Sequence, residues 1–74
     1  MIKVGQIYKP KNNEDAIFVV TRTEEVADCC YIIWDDGSAN YHNISEEKIE
    51  LIAEYPTWQE AVNSKEFKVG GNND

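Results

Sequence analysis

The chain has 74 residues and a mass of 8.5 kDa, with 42% hydrophobic and 28% charged residues. That length supports one small domain and excludes a second core or a spacious buried active site. Seven basic against fourteen acidic side chains give a net charge of -7, which disfavours direct binding to nucleic acid or to an acidic membrane surface. No apolar run reaches the ~20 residues that span a bilayer, and the first residues lack the pattern of a signal peptide. We therefore expect a cytoplasmic protein.

Hydrophobic residues recur mostly with a period of two, in short segments separated by turn signals, and this pattern predicts a mainly β protein. The first strand is predicted over Val4 to Lys9, and the second over Ala16 to Thr23. Both faces of the second strand are partly apolar, as in a small barrel. The third predicted strand, Asp28 to Trp34, is the most apolar stretch of the chain and is expected to be central.

The Asp-Gly dipeptide at positions 36 and 37 predicts a tight hairpin, because this pair accepts the positive φ angles that such turns require. A fourth strand is predicted over residues 39 to about 43. A two-residue loop would place Ile32 opposite Tyr41, whereas a three-residue loop with a bulge at Gly37 would place Tyr31 opposite Tyr41. We favour the three-residue loop.

The chain after the fourth strand permits two interpretations. Residues 44 to 49 suit a single helical turn capped by Ser45, followed by a fifth strand over Glu50 to Tyr55 that would close the edges of a barrel. A continuous helix over Glu46 to Tyr55 is the alternative. We favour the strand.

The clearest helix signal comes last, where Thr57 and Glu60 form a capping box after a proline. The helix is predicted over residues 58 to about 64, and its apolar stripe, with Phe67 as a final anchor, is expected to cover an open end of the barrel. Residues 68–74 have nothing to bury and are expected to be disordered. The sequence thus predicts one domain over residues 1–67.

The sequence has none of the residue patterns that we would expect of an enzyme active site. It has no glycine-rich phosphate loop and no Gly-x-Ser-x-Gly motif, and His42 is its single histidine. Cys29 and Cys30 are neighbours, and a disulfide between adjacent residues of a strand is unfavourable. Together with His42 they are also too few to supply the four ligands of a zinc site. We therefore predict no catalytic residue, no metal site and no cofactor.

The chain has more aromatic rings than one small interior is expected to hold on one face, so some rings should lie at the surface. Beside acidic side chains, exposed rings suit a cationic ligand. We therefore predict a binding groove next to the hairpin. Its residues are Tyr8, Trp34 and Tyr41, with Asp35 and Asp36 at the rim.

The segment CCYIIWDDGSANYHNISEEKIELI resembles the second half of a Tudor-type SH3-like barrel, and the similarity extends over about Val4 to Glu54. The resemblance implies a small five-stranded SH3-like barrel, here with a short C-terminal α-helix. It also implies an aromatic cage for methylated lysine or arginine, whose matching positions hold Tyr8, Phe18 and Trp34, with the DDGS turn at the loop position.

The segment AEYPTWQEAVNSKEF is similar to the ending of small proteins encoded by phages and prophages of Gram-positive bacteria. This resemblance implies a non-catalytic accessory protein that binds a host or phage protein. Two alternatives remain open. In the first, the acidic residues would imitate the phosphates of DNA if they gathered on one face, since alternate strand residues lie ~7 Å apart. In the second, a small homo-oligomer, rather than a monomer, would build a small-molecule site.

Overall fold

A computed structural model describes residues 1–13, 15–24 and 29–67, which form five β-strands and two short helices. The predicted disordered tail, residues 68–74, and the predicted start of the third strand at Asp28 lie outside these residues. No helix in the described ranges has the length and apolar character needed to cross a membrane. The elements in chain order are β1 (Gln6–Pro10), β2 (Phe18–Thr23), β3 (Cys29–Trp34), β4 (Ala39–Asn43), a 3-10 turn (Glu46–Lys48), β5 (Ile49–Glu54) and α1 (Trp58–Val62).

The five strands form one antiparallel sheet in the order β4-β3-β2-β1-β5, which confirms the predicted mainly β class. β4 and β5 are the two edge strands, and the strand pairs of the described residues include none between them. The fifth strand is also confirmed. β5 pairs with β1 along its length, so the alternative of a continuous helix from Glu46 to Tyr55 is excluded.

The hairpin between β3 and β4 adopts the favoured three-residue loop. Tyr31 lies opposite Tyr41, and Gly37 has a φ of 92°, in the left-handed region that favours glycine. The N–H of Trp34 donates to the carbonyl of Ser38 at 2.8 Å, and the N–H of Gly37 donates to the carbonyl of Trp34 at 2.9 Å.

The sheet is apolar on both faces, and each face has its own cluster of buried side chains. Strand alternation sends Phe18 and Val20 to one face and Val19 to the other. The first cluster contains Tyr8, Phe18, Val20, Cys30, Ile32, Ile44 and Ile49, with Ile2 and Trp34 packed against it. The second contains Ile7, Val19, Ala61 and Phe67, with Ile17, Ile33, Ala53, Tyr55, Trp58 and Val62 packed against it.

The helix α1 begins as predicted but lies in a different place from the one expected. The Thr57 hydroxyl accepts a hydrogen bond from the N–H of Glu60 at 3.1 Å, as an N-cap should. However, Ala61 packs with Ile7 and Val19 in the second cluster, so the helix covers a face of the sheet and not an open end. The physical reason is that Ile7 and Val19 are both 0% exposed, and the sheet alone would leave them in water.

A bulge in β2 changes which side chains share a face near its end. Val20 pairs with Ile32 but Arg22 pairs with Tyr31, so Thr21 is the extra residue. The Thr21 hydroxyl donates to the carbonyl of Tyr31 at 3.0 Å. The simple alternation expected for the second strand therefore holds only as far as Val20.

Candidate functional site

An open pocket of about 200 Å³ lies on the face of the first cluster. Its floor is made of buried apolar side chains, and polar side chains stand around its mouth. The pocket is formed where the β3–β4 hairpin faces the 3-10 turn and the end of β1. The lining residues are Pro10, Asn12, Phe18, Ile32, Trp34, His42, Asn43, Ile44, Ser45, Lys48 and Ile49.

Aromatic rings form one wall of the pocket. The Phe18 and Trp34 rings meet edge to face, with centroids 5.0 Å apart and an interplanar angle of 64°. Trp34 in turn meets the His42 ring at 5.9 Å and 83°. Because Phe18 is 2% exposed while Trp34 is only half-buried, Phe18 supports Trp34 from below and Trp34 presents part of its ring to the pocket.

Backbone hydrogen bonds hold both sides of the pocket: the aromatic wall, and the opposite side formed by the end of β1 and the 3-10 turn. Phe18 lies directly opposite Trp34 in the ladder of β2 and β3, and the N–H of Asp35 donates to the carbonyl of Ile17 at 3.0 Å. On the other side, the N–H of Lys11 donates to the carbonyl of Lys48 at 2.9 Å, which ties the end of β1 to the 3-10 turn. The shape of the pocket is therefore held by backbone hydrogen bonds of the sheet and of the 3-10 turn.

The charge of the lining differs from the predicted acidic groove. Among residues 1–13, 15–24 and 29–67, Lys48 is the charged side chain that lines the pocket, and no carboxylate of these residues lines it. The predicted cation site combines the attraction of ring faces with the negative charge of carboxylates. The lining therefore suits an uncharged group, with Lys48 available to an acidic neighbour.

Of the five predicted site residues, Trp34 lines the pocket and Tyr8 supports it. Tyr8 is 6% exposed, and its ring stacks on Phe18 with centroids 5.9 Å apart. The Tyr8 hydroxyl donates to Oε1 of Gln6 at 2.7 Å, and burial raises the pKa of Tyr8. Tyr8 therefore acts from beneath, and it does not line the pocket.

Asp35 and Asp36 belong to the hairpin turn and do not line the pocket. Oδ1 of Asp36 accepts hydrogen bonds from the N–H of Ser38 at 2.9 Å and from its hydroxyl at 2.7 Å. These two bonds lower the pKa of the Asp36 carboxyl. Asp36 therefore stabilises the turn that carries Trp34, which is a structural role for a residue predicted at the rim.

Tyr41 is not brought together with Trp34, because it lies on the opposite face of the sheet. It pairs with Tyr31, and their rings meet at 4.8 Å and 64°. Tyr31 and Trp34 stand three positions apart on one strand, so alternation sends them to opposite faces. The three-residue loop therefore already implies that Tyr41 faces away from Trp34. It also implies that His42 lies on the same face as Trp34.

The remaining polar candidates are spread over the molecule. In the described ranges, no group of three or more His, Cys, Asp or Glu side chains is placed to hold a metal ion. Several carboxylates are bonded within the chain: Glu24 to Arg22 at 3.0 Å, Glu46 to the N-terminal amine at 2.7 Å, and Glu54 to Nε2 of Gln6 at 3.3 Å.

Comparison of the chain with protein-family models, with curated proteins and with solved structures finds no match in any of the three. The similarity to Tudor-type barrels and to phage proteins therefore rests on the quoted residues alone. The geometry of the pocket is what carries a functional argument.

Proposed function

We propose that this chain is a non-catalytic interaction module that binds a protein partner by receiving one of its apolar or aromatic side chains beside Trp34. The observation that carries the proposal is an open pocket with a buried apolar floor and an aromatic wall. Large apolar side chains that dock into such pockets supply most of the binding energy at many interfaces. A half-buried tryptophan at the mouth of a pocket is well suited to this role.

The size of the pocket favours a side chain over a whole small molecule. Sites for drug-sized ligands and cofactors commonly enclose about 300–1,000 Å³, whereas this pocket has about 200 Å³. That volume is too small to surround a nucleotide. Within one copy of the chain, we therefore favour a protein side chain over a small molecule as the ligand of this pocket.

The charge of the pocket lining bears on which side chain of the partner would bind there. A methylated lysine or arginine, which the Tudor resemblance implies, would enter next to Lys48, and the described part of the lining offers it no carboxylate. Phenylalanine, tryptophan or proline carries no charge and suits the rings of Trp34 and Phe18. Lys48 favours an acidic residue beside that side chain in the partner.

The alternative of a DNA mimic lacks an observation in its favour. The described carboxylates lie in the loop before β2, after β2, at the hairpin tip, on the 3-10 turn, on β5 and around α1, and several are bonded within the chain. The similarity of residues 53–67 to phage and prophage proteins leads us to seek the partner among host or phage proteins.

The proposal is tested by titrating the protein with short capped peptides while recording the NMR signals of the Trp34 indole and the His42 ring. One series carries phenylalanine, tryptophan or proline next to glutamate, and the matched series carries trimethyl-lysine in the same position. We expect the first series to shift both signals with saturation. Failure of every peptide to shift them would overturn the pocket as a binding site.

The variant Trp34→Ala is expected to abolish these shifts at His42, since it removes the aromatic wall. Leu51→Ala is the matched control, because Leu51 is exposed on β5 and is not part of the lining. Circular dichroism of both variants shows whether the sheet is intact. Equal loss of binding in the two variants would speak against a site at Trp34.

A further inference from the structure

The two edges of the sheet are built differently. β5, at one edge, pairs with β1 through a register shift at Ile7 and Tyr8 and carries Glu50 and Glu54. Bulges and charged side chains both protect an edge strand from pairing with another chain. β4, at the other edge, has neither device. All five of its residues are exposed, their pairing with β3 runs in one unbroken register, and none is Asp, Glu, Lys, Arg or Pro.

The hydrogen bonds of the hairpin show which backbone groups of β4 point to the free edge. Trp34 and Ser38 form a hydrogen-bonded pair. Hydrogen-bonded and non-hydrogen-bonded pairs alternate along an antiparallel ladder. The backbone groups of Asn40 and His42 therefore point to β3, and those of Ala39, Tyr41 and Asn43 point outward.

These outward groups have no partner in another described segment. Among residues 1–13, 15–24 and 29–67, the turn and loop backbone hydrogen bonds include none from positions 39, 41 or 43. Three residues spaced two apart and centred on Tyr41 thus form a row of donors and acceptors that no described backbone group occupies. Such a row is symmetric about its middle residue.

We propose that β4 pairs with β4 of a second copy of this chain, antiparallel and with the two-fold axis at Tyr41. In that register Tyr41 lies opposite Tyr41 of the second copy, and Ala39 lies opposite Asn43 of the second copy. All three facing pairs are hydrogen-bonded pairs, which gives about six interchain hydrogen bonds. The result is one continuous sheet across the two copies.

Side chains in this register are compatible on both faces. On the face of the second cluster, Tyr41 is 52% exposed and already contacts Tyr31, so the pairing would extend two tyrosines into a row of four. On the other face, Asn40 would meet His42 of the second copy. No like charges of β4 face each other, although the whole chain carries a net charge of -7.

A second copy is favoured over an unrelated strand by this self-complementarity. A shift of the pairing register by one residue, which would set Tyr41 opposite position 40 or 42 of the second copy, would place the outward groups of one copy against the inward groups of the other, and the hydrogen bonds would be lost. The contact is small, so we expect a weak, reversible dimer. Added salt should strengthen it by screening the repulsion of two acidic chains.

The test is sedimentation equilibrium of the full chain over a range from about 10 µM to about 1 mM protein. We expect a monomer–dimer equilibrium for the wild type. Tyr41→Lys and Tyr41→Glu should each weaken dimerisation on the order of tenfold, because each sets two like charges opposite one another and removes the tyrosine pair. An equimolar mixture of the two variants should recover a dimer, since unlike charges then face each other.

Leu51→Lys is the matched control, because Leu51 is exposed to a similar degree, 48%, on the other edge strand. It should leave the equilibrium unchanged. A wild type that stays monomeric throughout would overturn the proposal, as would a dimer that is weakened by Leu51→Lys and not by the Tyr41 variants. Mixed variants that fail to associate while circular dichroism shows them folded would also overturn it.

Discussion

Position 5 requires glycine for two separate reasons. Gly5 has a φ of 94°, and a Cβ at this position would collide with the backbone carbonyl of Tyr55. The Gly5 N–H donates to the carbonyl of Val20 at 2.9 Å, and its carbonyl accepts from the N–H of Tyr55 at 3.0 Å. We expect Gly5→Ala to lower the free energy of unfolding by more than about 2 kcal/mol, because left-handed strain and the collision add. Urea denaturation measures the change.

Gly37→Ala is the control for the conformational part of that loss. Gly37 has nearly the same φ, 92°, but lies exposed at the hairpin tip. It should lose only about 1–2 kcal/mol. If Gly37→Ala and Gly5→Ala lowered the free energy of unfolding equally, the close approach of Gly5 to Tyr55 would not contribute to the loss.

The pair formed by Tyr55 and Glu66 makes a pH-dependent contribution to stability. The Tyr55 hydroxyl donates a hydrogen bond to the Glu66 carboxylate, which lowers the pKa of Glu66 and raises the pKa of Tyr55. The Glu66 contribution is present above its unfolded pKa of about 4.3 and is lost as the pH falls through the lower folded pKa. The Tyr55 contribution is present below about pH 10 and is lost as the pH rises through the higher folded pKa.

We therefore expect Tyr55→Phe to be less stable than the wild type near neutral pH, and the difference to become smaller in strong acid, where the neutral carboxyl is a weaker acceptor. Phenylalanine keeps the ring packed in the second cluster, so the variant isolates the hydroxyl. Urea denaturation at both pH values gives the comparison. A Tyr55→Phe deficit that is undiminished in strong acid would show that the charge of Glu66 does not contribute to it.

At the scale of elements, the cap of α1 holds the helix on the second face. The hydroxyl of Thr57 accepts from the N–H of Glu60, and the helix is only five residues long, so it depends on this cap and on packing. We expect Thr57→Ala to cost about 1 kcal/mol of unfolding free energy. Thermal denaturation measures it, and Thr57→Ser should restore most of the stability. No difference between the two variants would contradict a capping role.

The strands and the helix start were predictable because their signals are local. Apolar residues, alternating or continuous, marked β1, β2, β3 and β5, the Asp-Gly dipeptide marked the hairpin and with it β4, and Thr57 with Glu60 marked the helix. The bulge at Thr21 and the docking of α1 on the face of Ile7 and Val19 were not predictable in the same way. Both depend on which strands become neighbours, and a single strand's pattern does not contain that information.

The candidate site was predictable in part. Trp34 was identified as an exposed ring, but Tyr41 was grouped with it although the favoured register sends the two to opposite faces. His42 was set aside as a lone histidine and yet contacts Trp34. Lys48 was overlooked because the 3-10 turn approaches the end of β1 only in the folded chain. Applying the register to every residue of β4 would have found His42.

At the scale of the whole molecule, β1 and β2 carry both clusters. Ile7 and Tyr8 are neighbours on β1 but belong to different clusters, as do Val19 and Phe18 on β2. Neither face can therefore lose its packing without disturbing strands that the other face needs. This arrangement couples the pocket on one face to the helix on the other.

The coupling predicts a single cooperative unfolding transition, as expected for a small domain. The two tryptophans report on different faces, since Trp34 packs against the first cluster and Trp58 against the second. Trp58→Phe leaves Trp34 as the single tryptophan, and Trp34→Phe leaves Trp58. We expect the fluorescence of each variant to change at the same urea concentration as its own circular dichroism signal. If the Trp58 signal changed well before the dichroism of the sheet, the helix would be unfolding separately and the two faces would not be coupled.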